Sequence, residues 1–325
     1  SLLNDLGLAY LAKGRLHEAE GFIEQALEMR KKLYGPEHPQ TAFSINSLAR
    51  VLRDAGRLDD ALGRIREAMR IDARTGGADS LASAGDLGVL ASIHFQRSEL
   101  TEAEHAARSA LRIFEEKVQG NDPWVPYLLD LLARIAKWRG DYPKAGELYQ
   151  LALNTDKRLY GADHPVYAVR LHNFGTLLRA RGDFESAQKA LDEAIRILSK
   201  ASGDHHPNLV DALSSRGSLS IARGDLKGAR RDFEEALQRN RKIRGGDHAL
   251  VGHDLLNLVR LAVEEKCYDD ALRHLGDALS IFRAKLPTTH AYIGAALTWQ
   301  GRTLVEANRA AEAEPPLEEA LCVWG

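Results

Sequence analysis

Apolar residues recur along this chain at helical spacing, in paired runs separated by short polar breaks. Leu3, Leu6 and Tyr10 precede one such break, and Leu16, Ala19, Ile23, Ala26 and Leu27 follow it. Spacings of three and four place each run on one helix face, so the pattern predicts a helix, a tight turn and a second helix. The unit then repeats. Gly14, Gly56, Ser98, Gly140, Gly182, Gly224, Lys266 and Asn308 stand 42 residues apart without an insertion. Five residues after each stands Ala19, Ala61, Ala103, Ala145, Ala187, Ala229, Ala271 or Ala313. Seven further stands Ala26, Ala68, Ala110, Ala152, Ala194, Ala236, Ala278 or Ala320. A repeat of this length marks a stacked helical array.

The chemistry of the unit follows from its spacing. A left-handed residue ending the first helix is cheapest as glycine, so Ser98 and Lys266 are expected to be strained turns, with Asn308 the better substitute. Alanine at the two fixed sites lets helices approach to the short end of the ~8–10 Å interaxial range. Longer connections link the units, as in Tyr34-Gly35-Pro36-Glu37-His38-Pro39 and Tyr160-Gly161-Ala162-Asp163-His164-Pro165, where proline suits the first turn of the next helix. The stretches 76–81 and 286–291 depart from this pattern and are expected to alter geometry without breaking the array.

The paired helices, the Gly7, Tyr10, Ala19 and Ala26 spacing and the strings Leu3-Asn4-Asp5-Leu6, Gly14-Arg15-Leu16 and Ala26-Leu27-Glu28 resemble the tetratricopeptide repeat, in its kinesin-light-chain-like 42-residue form. The resemblance covers the whole chain. It implies an all-α, right-handed superhelical solenoid of about eight helix-turn-helix repeats, at 1–38, 39–80, 81–122, 123–164, 165–206, 207–248, 249–290 and 291–325. These would form a single domain over 1–325, with first helices lining a concave wall. It further implies a non-enzymatic protein-binding module that holds a peptide or partner segment in that groove. Kinesin light chains take peptides with a tryptophan flanked by acidic residues. The family's groove asparagine matches Asn173 and Asn257, with Asp5, Ser47, Val89, Leu131, Ser215 and Trp299 at the other equivalent positions.

In the family's register the groove rows contain Asn46 and His172, then Arg50, Arg134, Thr176, Arg260 and Arg302, then Arg53, Phe95, Lys137 and Arg179, with Trp138 beside the last row. Guanidinium groups match carboxylates bidentately, so these rows predict a basic wall with an apolar pocket for an acidic peptide, anchored at Phe95 or Trp138. Arginine outnumbers lysine 31 to 13, and ordinary pairing with Asp54, Asp130, Glu264 or Glu265 is the competing explanation. A second expectation is a structural or regulatory stretch of a larger signalling protein, excised at Ser1 and self-associating through uncapped ends.

Composition narrows the alternatives. A net charge of −2 offers no general field for nucleic acid. No apolar run is long enough to span a membrane, and the two cysteines, Cys267 and Cys322, form no disulfide framework, which points to the cytoplasm. His38, His164, His206, His248 and His290 recur at the unit connections. Ligands on successive repeats cannot converge on one zinc ion, so these are expected to serve the connections. Asp204, His205 and His206 form a minor candidate for an adventitious ion. No nucleotide-binding, esterase or zinc-protease motif is present, so neither cofactor nor metal is expected; His17-Glu18-Ala19-Glu20-Gly21 lacks the final histidine. The Arg-Gly-Asp strings at 139–141, 181–183 and 223–225 fall on turns that need glycine followed by a helix-starting aspartate.

Overall fold

A computed structural model describes residues 2–202 and 207–324. The described residues form sixteen helices: α1 (Leu2–Ala12), α2 (Leu16–Tyr34), α3 (Pro39–Asp54), α4 (Leu58–Thr75), α5 (Leu81–Gln96), α6 (Leu100–Val118), α7 (Trp124–Trp138), α8 (Tyr142–Tyr160), α9 (Pro165–Ala180), α10 (Phe184–Ser202), α11 (Pro207–Ala222), α12 (Leu226–Arg244), α13 (Ala249–Glu264), α14 (Tyr268–Lys285), α15 (Ala291–Glu306) and α16 (Ala310–Trp324). Each odd helix pairs with the even helix after it, giving an all-α array of helix-turn-helix repeats. The chain divides into two compact units, residues 1–170 and 171–325.

The eight glycine-like positions all close their turns in the left-handed region. The glycines have φ from 72° to 79°, while Ser98 has 63° and Lys266 and Asn308 have 59°. The two strained positions foreseen from the repeat are therefore real, and the lost Cβ clearance is carried by the fold. All sixteen repeat alanines are buried.

Connections between repeats obey a second rule. Gly35, Gly77, Gly161 and Gly245 have φ near 90°, and Gln119 takes the same place with φ 52°. The stretch 76–81 thus keeps the ordinary turn. At 286–291 the corresponding residue is Pro287, whose ring forbids positive φ; the chain leaves α14 through an extended Leu286 instead. The next helix is then capped by a side chain. His38, His164, His248 and His290 each accept a backbone N–H two residues on, through Nδ1 at 3.1–3.2 Å. Ser80 and Asp122 cap at the same repeat position. The histidine ladder is helix-capping chemistry; His206, with Asp204 and His205, lies outside the described residues. The three Arg-Gly-Asp strings likewise end in capping aspartates, Asp141, Asp183 and Asp225.

Where the second helix of one repeat meets the first helix of the next, a buried pair of residues fourteen apart fills the joint. In order these are Arg30/Ser44, Asp72/Asp86, Phe114/Leu128, Asp156/Arg170, Leu198/Ala212, Asn240/Asp254 and Phe282/Ala296. The first, second, fourth and sixth joints are polar, and the others apolar. Arg30 donates to Ser44 Oγ at 2.7 Å, and Asn240 to Asp254 at 2.6 Å. Arg170 Nε lies 3.2 Å from Asp156, an ion pair whose N–H is not aimed at the oxygen.

Candidate functional site

Within each unit the odd helices pack on one another as well as on their even partners, as α1 on α3, α3 on α5 and α5 on α7 in the first, and α11 on α13 and α13 on α15 in the second. No comparable packing joins even helices among the described residues. Odd helices therefore form one continuous side of each unit, and their exposed positions form its candidate surface.

In the first unit, Asn46 is half-buried and donates to Asp86 Oδ1 at 2.7 Å, so it is tied to the next repeat. Arg50, half-buried, makes no hydrogen bond or ion pair among the described residues. Burial, and then the neighbouring Arg53, lower its pKa. Arg53 donates to Ser92 Oγ at 3.1 Å and to the Tyr127 hydroxyl at 3.4 Å, and pairs with Asp54. Burial alone would lower its pKa, but Tyr127 and Asp54 outweigh it. Phe95 and Arg134 meet each other, with the guanidinium 4.4 Å from the ring centroid. Lys137 is half-buried, and Trp138 projects outward with 72% of its surface exposed. The structure does not bring Trp138 into a pocket with Phe95.

Two recesses open on this unit and share Arg50 and Trp124. One, of about 380 Å³, is walled by Arg50, Arg53 and Arg170 with Trp124, Tyr127 and Tyr160. The other, of about 610 Å³, has Phe43, Phe114 and Trp124 as apolar walls and Asp72 and Asp86 on its lining. Trp124 stands between them. Its ring lies where a Cβ at Gly88 would fall, 2.6 Å from the nearest ring carbon, so only glycine admits it. It stacks on Phe114 at 6.4 Å and meets Tyr127 edge-on at 5.3 Å. Neither Trp124 nor the aspartate pair stood out in the sequence. The available signal was the reciprocal size of Gly88 and a large ring about one repeat further on.

Asp86 is 1% exposed. Its Oδ1 takes the Asn46 hydrogen bond, whereas Oδ2 receives no donor. The Asp72 carboxyl is its near neighbour. Burial pushes Asp86 up to about 7 against the lowering effect of Asn46, and Asp72 adds to the rise.

In the second unit, His172 Nε2 lies 2.8 Å from Ser215 Oγ, and Thr176 donates to the Asn173 carbonyl at 2.8 Å. The first contact ties α9 to the next repeat and the second is local to α9. Asn257 is half-buried. Arg179 and Arg260 are half-buried with buried Nε atoms that find no acceptor among the described residues. Arg260 donates to Ser218 Oγ at 2.6 Å and lies over Phe233 at 5.7 Å. Burial lowers its pKa first, and the positive charge of Arg179 lowers it further. Arg302 is exposed, bound to Glu306 at 2.8 Å and set over Trp299 at 5.0 Å. No grouping of three or more potential metal ligands occurs among the described residues, and no described helix is long and apolar enough to cross a membrane.

Paired helices on a fixed period define a helical-repeat protein. The sequence profile of the tetratricopeptide repeat matches residues 1–73, 44–116, 125–200, 172–238 and 208–284. The chain belongs to the tetratricopeptide repeat family. No curated protein sequence matches it significantly. Among solved structures it is similar to BtubC (BKLC) from P. vanneervenii, at 22% identity over 70% of this chain and 91% of that one, with a TM-score of 0.57. It is also similar to the apo form of the quorum sensor NprR from B. thuringiensis, at 15% identity over 100% and 87%, TM-score 0.73. A Rap protein complexed with Competence and Sporulation Factor is 13% identical over 99% and 96%, TM-score 0.62. At these identities the likeness is one of fold.

Proposed function

We propose that the chain is a non-enzymatic protein-interaction module whose odd helices hold a partner segment carrying carboxylates. The observation that carries this reading is the set of half-buried arginines without a carboxylate: Arg50, Arg179 and Arg260. Acidic residues outnumber basic ones, 46 to 44, and most exposed arginines are paired, as Arg57 is with Glu20 and Asp60. Leaving guanidinium groups half-desolvated and unpaired is costly, and a ligand carboxylate would relieve that cost. The aromatic rings beside them, Trp124 and Tyr127 in one unit and Phe233 in the other, supply apolar area for the intervening residues. A fold of this kind carries a bound factor in the Rap complex, which is consistent with the reading.

The test is a peptide array of acidic, basic and apolar sequences ten to fifteen residues long, probed with the purified chain at two salt concentrations. Acidic peptides should bind, less tightly at high salt. Arg50→Gln and Arg179→Gln should weaken them while leaving helicity unchanged. Acidic binding that ignores both substitutions would remove the odd-helix assignment.

A further inference from the structure

The larger recess of the first unit has the wrong charge for an acidic ligand. Asp72 and Asp86 are both buried and line it. An acidic pair alone would be unremarkable, but Asp86, which lines an open cavity of about 610 Å³, has an oxygen, Oδ2, that finds no hydrogen-bond partner among the described residues. The charged groups around the pair are already placed. Arg30, from α2, is bound to Ser44 and to the Gln40 carbonyl, and lies over the Phe43 ring. Asp122, before α7, caps Trp124. Asp5 from α1 adds a carboxylate at the lining, and Arg50 from α3 belongs equally to the neighbouring basic recess. Among the described residues, no cation is hydrogen-bonded to or paired with Asp86.

We propose that this recess receives a lysine or arginine side chain of the bound segment, with its charged end on Asp72 and Asp86 and its stem along Trp124 and Phe43. The inference rests on the reading of the odd-helix side as a peptide site, and it changes the ligand. The segment bound by the first unit is dipolar, with a carboxylate at Arg50 and Arg53 and a basic residue beyond Trp124. A long basic side chain suits the geometry because its methylenes cover aromatic surface while its charged end reaches a carboxylate. A basic residue pairs with an ionised carboxyl, and burial holds the Asp86 carboxyl up at about 7, so binding of that residue strengthens as pH rises. Arg30, Arg50 and Arg53 keep their charge throughout.

The probes are ten-residue alanine-based peptides with two adjacent glutamates and one lysine placed at each remaining position in turn. Each has a mate with norleucine in place of lysine. Affinities are read by fluorescence anisotropy at pH 6 and pH 8. At pH 8 one register of lysine should bind about tenfold tighter than its mate, the gain of a charge-assisted hydrogen bond, and the ratio should shrink at pH 6. In the Asp72→Asn/Asp86→Asn variant the ratio should fall to about one, while the norleucine peptides bind as before. Asp72→Asn alone supplies the same readout should the double variant lose its helical spectrum. A ratio near one at every register, with the glutamate peptides still bound, overturns the basic subsite and leaves the acidic-peptide reading intact. A ratio that survives the Asn substitutions also overturns it. If no peptide binds, the odd-helix reading falls and this inference falls with it.

Discussion

The guanidinium of Arg134 lies 4.4 Å from the ring centroid of Phe95, one repeat earlier in the chain. The contact holds the cation without neutralising it, so Arg134 is oriented and still available to an incoming carboxylate. At an exposed site such a pair contributes about 0.5–1 kcal/mol. A double-mutant cycle with Arg134→Gln and Phe95→Leu, followed by urea unfolding, should return a coupling of that size. A coupling of zero would mean the two merely lie close.

Asp254 in the second unit is a buried carboxyl beside Asn240. Burial raises it to about 7, opposed by the Asn240 hydrogen bond, with Asp211 adding to the rise. Because its folded pKa exceeds the unfolded one, its stabilising protonated form is complete at low pH and is lost as pH climbs through about 7. Asp254→Asn fixes a neutral group there. Relative to the wild type, the variant should gain roughly 2 kcal/mol or more between pH 5.5 and pH 8. Urea midpoints at the two pH values measure this, and a pH-independent difference would show that Asp254 is ionised in the fold.

Ser98 and Lys266 occupy left-handed turns that six of the eight repeats give to glycine or asparagine. Ser98→Gly and Lys266→Gly should each stabilise by about 0.5–1 kcal/mol, the released Cβ strain less the entropy of a freer unfolded chain. Chemical denaturation of each single variant checks the sign. Destabilisation in both would mean the side chains contribute more than the strain removes.

Ala187 and Ala229 are completely buried where helices approach within a repeat of the second unit. Leucine at either site should destabilise by about 1–3 kcal/mol through overpacking. Serine at the same sites should be milder. Equal tolerance of leucine would show the helix pair separating without penalty.

The fold was legible because its determinants repeat. A 42-residue period, a turn glycine and two alanines are local signals, and each recurs often enough to survive the exceptions at Ser98 and Lys266. The candidate site was legible only in part. Register alone nominated Arg50, Arg53, Arg179 and Arg260, all of which lie on odd helices. It could not show that Asn46 and His172 are held by the next repeat, because those partners depend on how first helices lie against each other. Trp124 and the Asp72/Asp86 pair were hidden for a related reason. Their meaning comes from a neighbour fourteen or more residues away, and at each of those positions the residue type changes from repeat to repeat.

The joint pairs also restrict how such a gene can be shortened. Removing residues 39–80 would bring Arg30 against Asp86, opposite charges in one buried joint. Removing 123–164 would instead seal Arg170 against Phe114, a guanidinium stripped of Asp156 and costing about 3–5 kcal/mol. Both deletions excise one whole repeat in phase and preserve every helix boundary elsewhere. Soluble yields of the two shortened chains should differ sharply in favour of the first. A stack whose units look interchangeable therefore has a reading order, written in the residues where one unit hands over to the next.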